Sequence, residues 1–284
     1  MAEISAARDA LDSSLSRNEE DTGNSTSETR KLVEISAAAG DAPDLSPSTI
    51  KEDAARISTS KTRKPPLISL AMLRRAIGNE IADLNVNEVS RRVYAGVLLK
   101  DDKKKEEPEN GKDQVQPCTH KYWVDKDLNK SCLMVLAKGL HIVWGDSSEY
   151  WTWREEEESC YSVNKKVHIA DLVNVCWLEI NGKCKTIMLS PRTTYEVTVA
   201  IKMSNESQGW QAPVNLSLSL PNGSKQVRSE RLDRLEKEKW IPISIGKFET
   251  TPKTIGEISF SLMQTEKDWK SGLSIKGLVF TAIA

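Results

Sequence analysis

Three aromatic rings fall within four positions, Tyr150, Trp151 and Trp153, at the end of a stretch that reads LHIVWGDSSEYWTW over residues 140–153. An indole offers a negative face on which the weakly positive C–H groups of a pyranose ring can pack, and the sugar hydroxyls then need fixed polar partners such as Asp146, Ser147 or Glu149. The chemistry that this combination suits is shallow, selective binding of a sugar. Alternation places Leu140, Ile142 and Trp144 on one face of a strand, and Gly145-Asp146-Ser147-Ser148 reads as a turn. Beyond it Trp151 and Trp153 share one face and Tyr150 and Thr152 the other, so at least one ring of the cluster should lie near solvent. The plainer alternative makes Trp144 and Trp153 core residues beside an ordinary turn.

Catalysis finds little support. A glycosidase needs two carboxylates about 5–9.5 Å apart across the bond. Asp146, Glu149 and Glu179 are available, but Glu179 in the strand-like WLEI reads as a face-exposed charge. No nucleophile elbow or phosphate loop is present, and His120, His141 and His168 are scattered as strand-surface residues. Cys176 and Cys184, the closest pair among five cysteines, lack zinc-ligand spacing, so reduced thiols are expected. The reading is therefore a chain with no catalytic residue, no metal site and no cofactor, hence not an enzyme.

The elements that must hold the cluster come from the distribution of large side chains. No aromatic residue precedes Tyr94, and all eight Trp and all five Cys follow position 117. Residues 1–65 hold seventeen Ser or Thr and twelve Asp or Glu against ten Leu, Ile, Val or Met, a composition that predicts a disordered tail. Over residues 66–99, Leu70, Leu73, Ile77, Ile81 and Leu84 recur at helical spacing. A second short helix follows, with Asn87 as N-cap and Gly96 as its stop. Either helix could pack on the domain or drive self-association. Residues 100–117 begin KDDKKKEEPENGKD, a charged linker whose Lys103 to Lys105 triplet is neutralised on both sides as a nuclear import signal.

From 118 to 284 the period becomes two. Tyr195, Val197, Val199, Ile201 and Met203 share a face, as do Leu216, Leu218 and Leu220; Ile241, Ile243 and Ile245; and Ile258, Phe260 and Leu262. Asn222-Gly223 suits a hairpin turn, and the phase slip from Leu273 and Ile275 to Leu278 and Phe280 calls for a bulge at Gly277. Residues 228–240 stay open between strand and helical turn. The fold class is all-β, an antiparallel β-sandwich of jelly-roll type, preceded by a short helical segment and the disordered tail.

Several ordered segments carry a resemblance: HKYWVD, LMVLAKGLHIVWGDSSEYWTW, LVNVCWLEINGK, GWQAPVNLSLSLPNG, WIPISIGKF and DWKSGLSIKGLVF. From about Val86 onward they resemble the plant phloem protein 2 lectins, of the same superfamily as the tobacco agglutinin. That resemblance implies a lectin for N-acetylglucosamine oligomers and the chitobiose core of N-glycans. It assigns carbohydrate contacts to Trp144, Asp146, Trp151 and Trp153, and to Trp269 and Lys270 in DWKSG, and Tyr150 joins them as a ring of the same cluster. The REEEESCYS insertion after Trp153 reads as a solvated acidic loop, able to disfavour anionic glycans.

Two further readings stand beside the lectin. An RNA or ribonucleoprotein carrier would use the same rings for stacking, but residues 118–284 hold 22 Lys or Arg against 20 Asp or Glu, with no basic track, so nucleic acid is disfavoured as a partner. A structural sieve-element protein would self-associate through the helices, as a homodimer for example, and cross-link through cysteines. No apolar run reaches the ~18 residues of a membrane span and the first residues lack a secretion signal, so the expected location is the cytoplasm, with the nucleus and phloem sieve elements as further places. Sequons at Asn24, Asn129, Asn205, Asn215 and Asn222 are expected to stay bare without a secretory route.

Overall fold

A computed structural model describes residues 63–100, 116–161 and 165–284. The expected disordered tail and the charged linker, with its lysine triplet, lie almost wholly outside the described residues. The first helix, α1, spans Ile68–Ile77 and ends at Gly78, whose φ of 63° leaves the helical region. A 3-10 turn, Gly78–Asp83, separates it from α2, Val86–Ala95. The helical repeat expected to run on to Leu84 is thus interrupted by glycine. The cap of α2 is Asn85 rather than Asn87: its side chain accepts a 2.9 Å bond from the Glu88 N–H, and Gly96 closes the helix as expected.

Leu70 also departs from its expected inward position. The Ser69 hydroxyl meets the Tyr122 hydroxyl at 2.8 Å in the interior, and that phenol also bonds Ser131 at 2.8 Å. With Ser69 turned in, the next residue lies about 100° round the helix, so Leu70 faces outward while Met72 and Leu73 are buried.

Thirteen strands follow among the described residues: β1 Val97–Lys100, β2 Cys118–Val124, β3 Ser131–Leu136, β4 His141–Ile142, β5 Trp151–Glu157, β6 Lys166–Leu172, β7 Leu178–Lys185, β8 Thr194–Gln208, β9 Val214–Ser219, β10 Lys225–Glu230, β11 Ile241–Glu249, β12 Glu257–Gln264 and β13 Ser271–Ile283. They form two antiparallel sheets. The larger has eight strands, in the order β1-β2-β3-β13-β6-β5, with β8 on the other side of β13 and β11 beyond β8; the smaller runs β10-β9-β12-β7-β4. Alternate residues of each fill the space between them, with Val197, Val199 and Ile201 facing Leu216, Leu218, Phe260 and Leu262 in one core. Leu73 and Val93 of the helices and Leu99 of β1 belong to the same core, so the helical segment packs on the sandwich. The bulge expected at Gly277 is present as a register shift between Ile275 and Gly277; a Cβ there would meet the Val135 carbonyl at 2.3 Å. Residues 228–240 resolve into the end of β10 and a 3-10 turn, Leu232–Arg234.

The acidic run corrects another expectation. Glu155, Glu156 and Glu157 lie in β5, paired with β6. Most of the run is charge-matched on the large sheet: Glu155 reaches Lys166 at 3.2 Å, Glu156 pairs with Arg154, and Glu158, just past the strand, lies 2.6 Å from both Lys121 and Lys276. Burial pushes the Glu158 carboxyl up, but the two lysines outweigh it and hold it below the usual range. A strand is stable here because Lys166 on β6, Lys121 on β2, Lys276 on β13 and Arg154 on β5 itself offset the acids.

Candidate functional site

The strand expected to carry Trp144 inward stops at Ile142. Beyond it the chain turns: the Gly145 N–H bonds the Ile142 carbonyl at 2.9 Å and the Ser147 N–H bonds the Trp144 carbonyl at 2.9 Å. Trp144 therefore takes a left-handed backbone, φ 58°, and its ring is 45% exposed. For a residue with a Cβ that conformation costs on the order of 1–2 kcal/mol and persists only where the surroundings impose it.

The surroundings are the next two tryptophans. Trp151, 2% exposed, fills the core beneath the turn and donates its indole N–H to the Val143 carbonyl at 3.2 Å. Trp153, half-buried with the Lys138 ammonium 3.4 Å from its ring centre, donates to the Gly145 carbonyl at 2.8 Å. Two indoles thus grip the carbonyls on either side of Trp144. Trp144 in turn leans on Tyr150, ring centres 5.2 Å apart and tilted by 39°, and Asp146 and Glu149 are exposed on the same loop. The core residue of the cluster is therefore Trp151, neither Trp144 nor Trp153 being fully buried.

Two further loops are bonded to this one. The Val173 N–H reaches the Tyr150 carbonyl at 2.9 Å, and Val175 and Lys270 exchange backbone bonds at 3.0 and 2.7 Å. Lys270 is fully buried, and its ammonium donates to the carbonyls of Cys176 (2.7 Å), Asp268 (2.7 Å) and Glu266 (3.0 Å). Burial pushes its pKa down. Expected as a ligand contact, Lys270 is instead a clamp that ties residues 173–177 to residues 266–270. What it displays is Trp269, 56% exposed, beside an open cavity of about 600 Å³ lined by Ser207, Gln208, Gly209, Gln211, Asp268 and Trp269. Gly209, φ 79°, is required there because a Cβ would lie 2.0 Å from the Trp269 carbonyl.

Trp177 is a further exposed indole that is not among the sequence candidates. It is 45% exposed just before β7 and donates its indole N–H to Glu179 Oε2 at 3.0 Å, while the Asn181 amide donates to Oε1 at 2.9 Å. The bond from Asn181 first, then that from Trp177, holds the Glu179 carboxyl below the usual carboxylate range. The available signal was CWLEIN, in which Leu178 and Ile180 point inward and leave Trp177, Glu179 and Asn181 on the outer side.

A family model described as phloem protein 2 matches residues 130–282, which begins after β2 and leaves both helices outside. A phloem protein 2-like A1 protein of Arabidopsis thaliana is 42% identical over 161 residues, 56% of this chain and 64% of that protein. A lectin of Luffa acutangula is 36% identical over 162 residues, 57% of this chain and 75% of the lectin. Among solved structures, the CBM22-1 xylan-binding domain from Paenibacillus barcinonensis aligns with 51% of this chain and 92% of that domain, at 13% identity and a TM-score of 0.28.

Proposed function

The chain belongs to the phloem protein 2 family, and from that premise we propose that it binds carbohydrate without transforming it, with N-acetylglucosamine oligomers and the chitobiose core of N-glycans as its ligands. The observation that carries this reading is the mounting of Trp144: an exposed indole on a strained backbone, held from below by Trp151 and Trp153 and flanked by Tyr150 and Asp146. A soluble domain gains no stability from presenting that ring to water, whereas a pyranose stacked on it would bury it again. A rigid mount also lowers the ordering cost of binding. The relative from Luffa acutangula being named a lectin supports the same reading.

In this reading Trp144 and Tyr150 supply the stacking surface and Asp146 the hydroxyl acceptor. Trp269 lies against the ligand from the neighbouring loop. Trp151, Trp153 and Lys270 act by positioning. The test is a glycan array probed with the full chain and with Trp144→Ala. Selective signal on chitin oligomers and chitobiose-core glycans, lost in the variant at unchanged melting temperature, is the expected outcome. Equal signal from parent and variant would remove Trp144 from the site, and no signal from either would remove the function.

A further inference from the structure

The outer face of the small sheet carries a second arrangement of the same kind. Strand register sets His141 opposite Asn181, Asn181 opposite Ser261, and Ser261 opposite Ser217, a row of polar side chains crossing four strands. The Ser217 and Ser261 hydroxyls meet at 2.8 Å, so the row lies low on the sheet. Just before β7, on the same outer side as Asn181, stands the exposed Trp177, which donates to Glu179, whose other oxygen is taken by Asn181. The turn that carries Trp144 adjoins Glu179 through the backbone, since the Val143 N–H bonds the Glu179 carbonyl at 3.1 Å and Trp144 is the next residue.

An outward polar face is ordinary for an antiparallel sheet. An exposed indole fixed by a carboxylate at the edge of a low polar track is not, and its chemistry matches a sugar ring: an apolar plate with acceptors and donors at one side. Among the described residues each carboxylate oxygen of Glu179 accepts one bond, which leaves lone pairs for a hydroxyl or an acetamido N–H. Its negative charge opposes a carboxylated sugar. Resting on the glycan-binding reading above, we propose that Trp177, Glu179 and Asn181 form a second sugar subsite. A linear oligosaccharide held at Trp144 continues onto the Trp177 indole, and Glu179 restricts that ring to neutral sugars.

The test is calorimetric titration of the full chain with N-acetylglucosamine oligomers of two to five units, and an array that adds galacturonic acid oligomers of the same lengths. Trp177→Ala should leave the affinity for the shortest bound oligomer unchanged and remove the gain with length, about tenfold on the longest. Glu179→Gln should admit acidic oligomers that the parent rejects. If Trp177→Ala binds every length as the parent does while Trp144→Ala binds none, the subsite is overturned and the first site stands. Unchanged rejection of acidic oligomers by Glu179→Gln overturns the charge filter. Failure of the parent to bind any oligomer overturns both the subsite and the reading beneath it. Trp177 is at the surface, so thermal melts of the variant should coincide with the parent and exclude misfolding.

Discussion

At the scale of single residues, the aromatic cluster divides by the environment each indole meets. Trp144 is presented to solvent, whereas Trp151 is core and bonded to the turn above it. Trp151→Ala should therefore lower stability by about 3–5 kcal/mol, from lost burial and an orphaned carbonyl, and weaken glycan binding only as a consequence. Trp144→Ala should shift the urea midpoint little and remove binding. Paired denaturation and titration curves separate the two. Lys270→Met would strand the carbonyls of Cys176, Glu266 and Asp268, a destabilisation of roughly 1–3 kcal/mol for each one left buried and unsatisfied. Hydrogen exchange should localise the loosening to residues 173–177 and 266–270. Residue types marked Asp146 and the ring cluster around Trp144 as candidates in the sequence, and the family resemblance added Trp269. They could not distinguish Lys270 as a clamp, because its partners are backbone carbonyls that any sequence supplies.

At the scale of elements, the strands were legible wherever one sheet face is buried. Alternation from Tyr195 to Met203 and from Ile258 to Leu262 follows directly from the pleat. What hid the rest was chemistry between distant strands. Nothing local in REEEE announces Lys121, Lys166 and Lys276, which make a strand of it, and nothing near Ser69 announces the Tyr122 hydroxyl that rotates α1. The join between α2 and the loop after β5 is likewise polar: Glu88 accepts from Arg91, Arg92 and the Tyr161 hydroxyl, and the Arg92 guanidinium lies 4.5 Å from the Tyr161 ring centre. These bonds, Arg91 foremost, lower the Glu88 pKa from 4.5 to about 2. A carboxyl whose pKa falls on folding stabilises the native state above its unfolded value and loses that contribution as pH drops towards the folded one. Protection of the α2 amides relative to their intrinsic exchange rates should therefore fall between pH 4.5 and 2, and Glu88→Gln should flatten that dependence. An unchanged pH profile in the variant would mean that Glu88 does not set it.

At the scale of the whole molecule, residues 63–100 share the core with the two sheets, so a boundary placed at 118 cuts through packed side chains. Leu73, Val93 and Leu99 are fully buried, each worth about 1.5–3 kcal/mol of apolar burial. A chain beginning at Cys118 should thus lose a large share of the 5–15 kcal/mol typical of a domain, which urea unfolding beside a chain beginning at residue 63 would measure. Composition located the foldable half through its tryptophans but undervalued a helical segment anchored by aliphatic side chains and the buried Ser69. The clamp at Lys270 also bears on how such a surface can be re-engineered. Because one ammonium spans two loops, residues 173–177 and 266–270 can change length only together. Residues 146–149 carry no such shared bond to Lys270, so a combinatorial library aimed at new glycans should be built at Asp146, Ser148 and Glu149. Insertions beside Cys176 should return mostly unfolded clones.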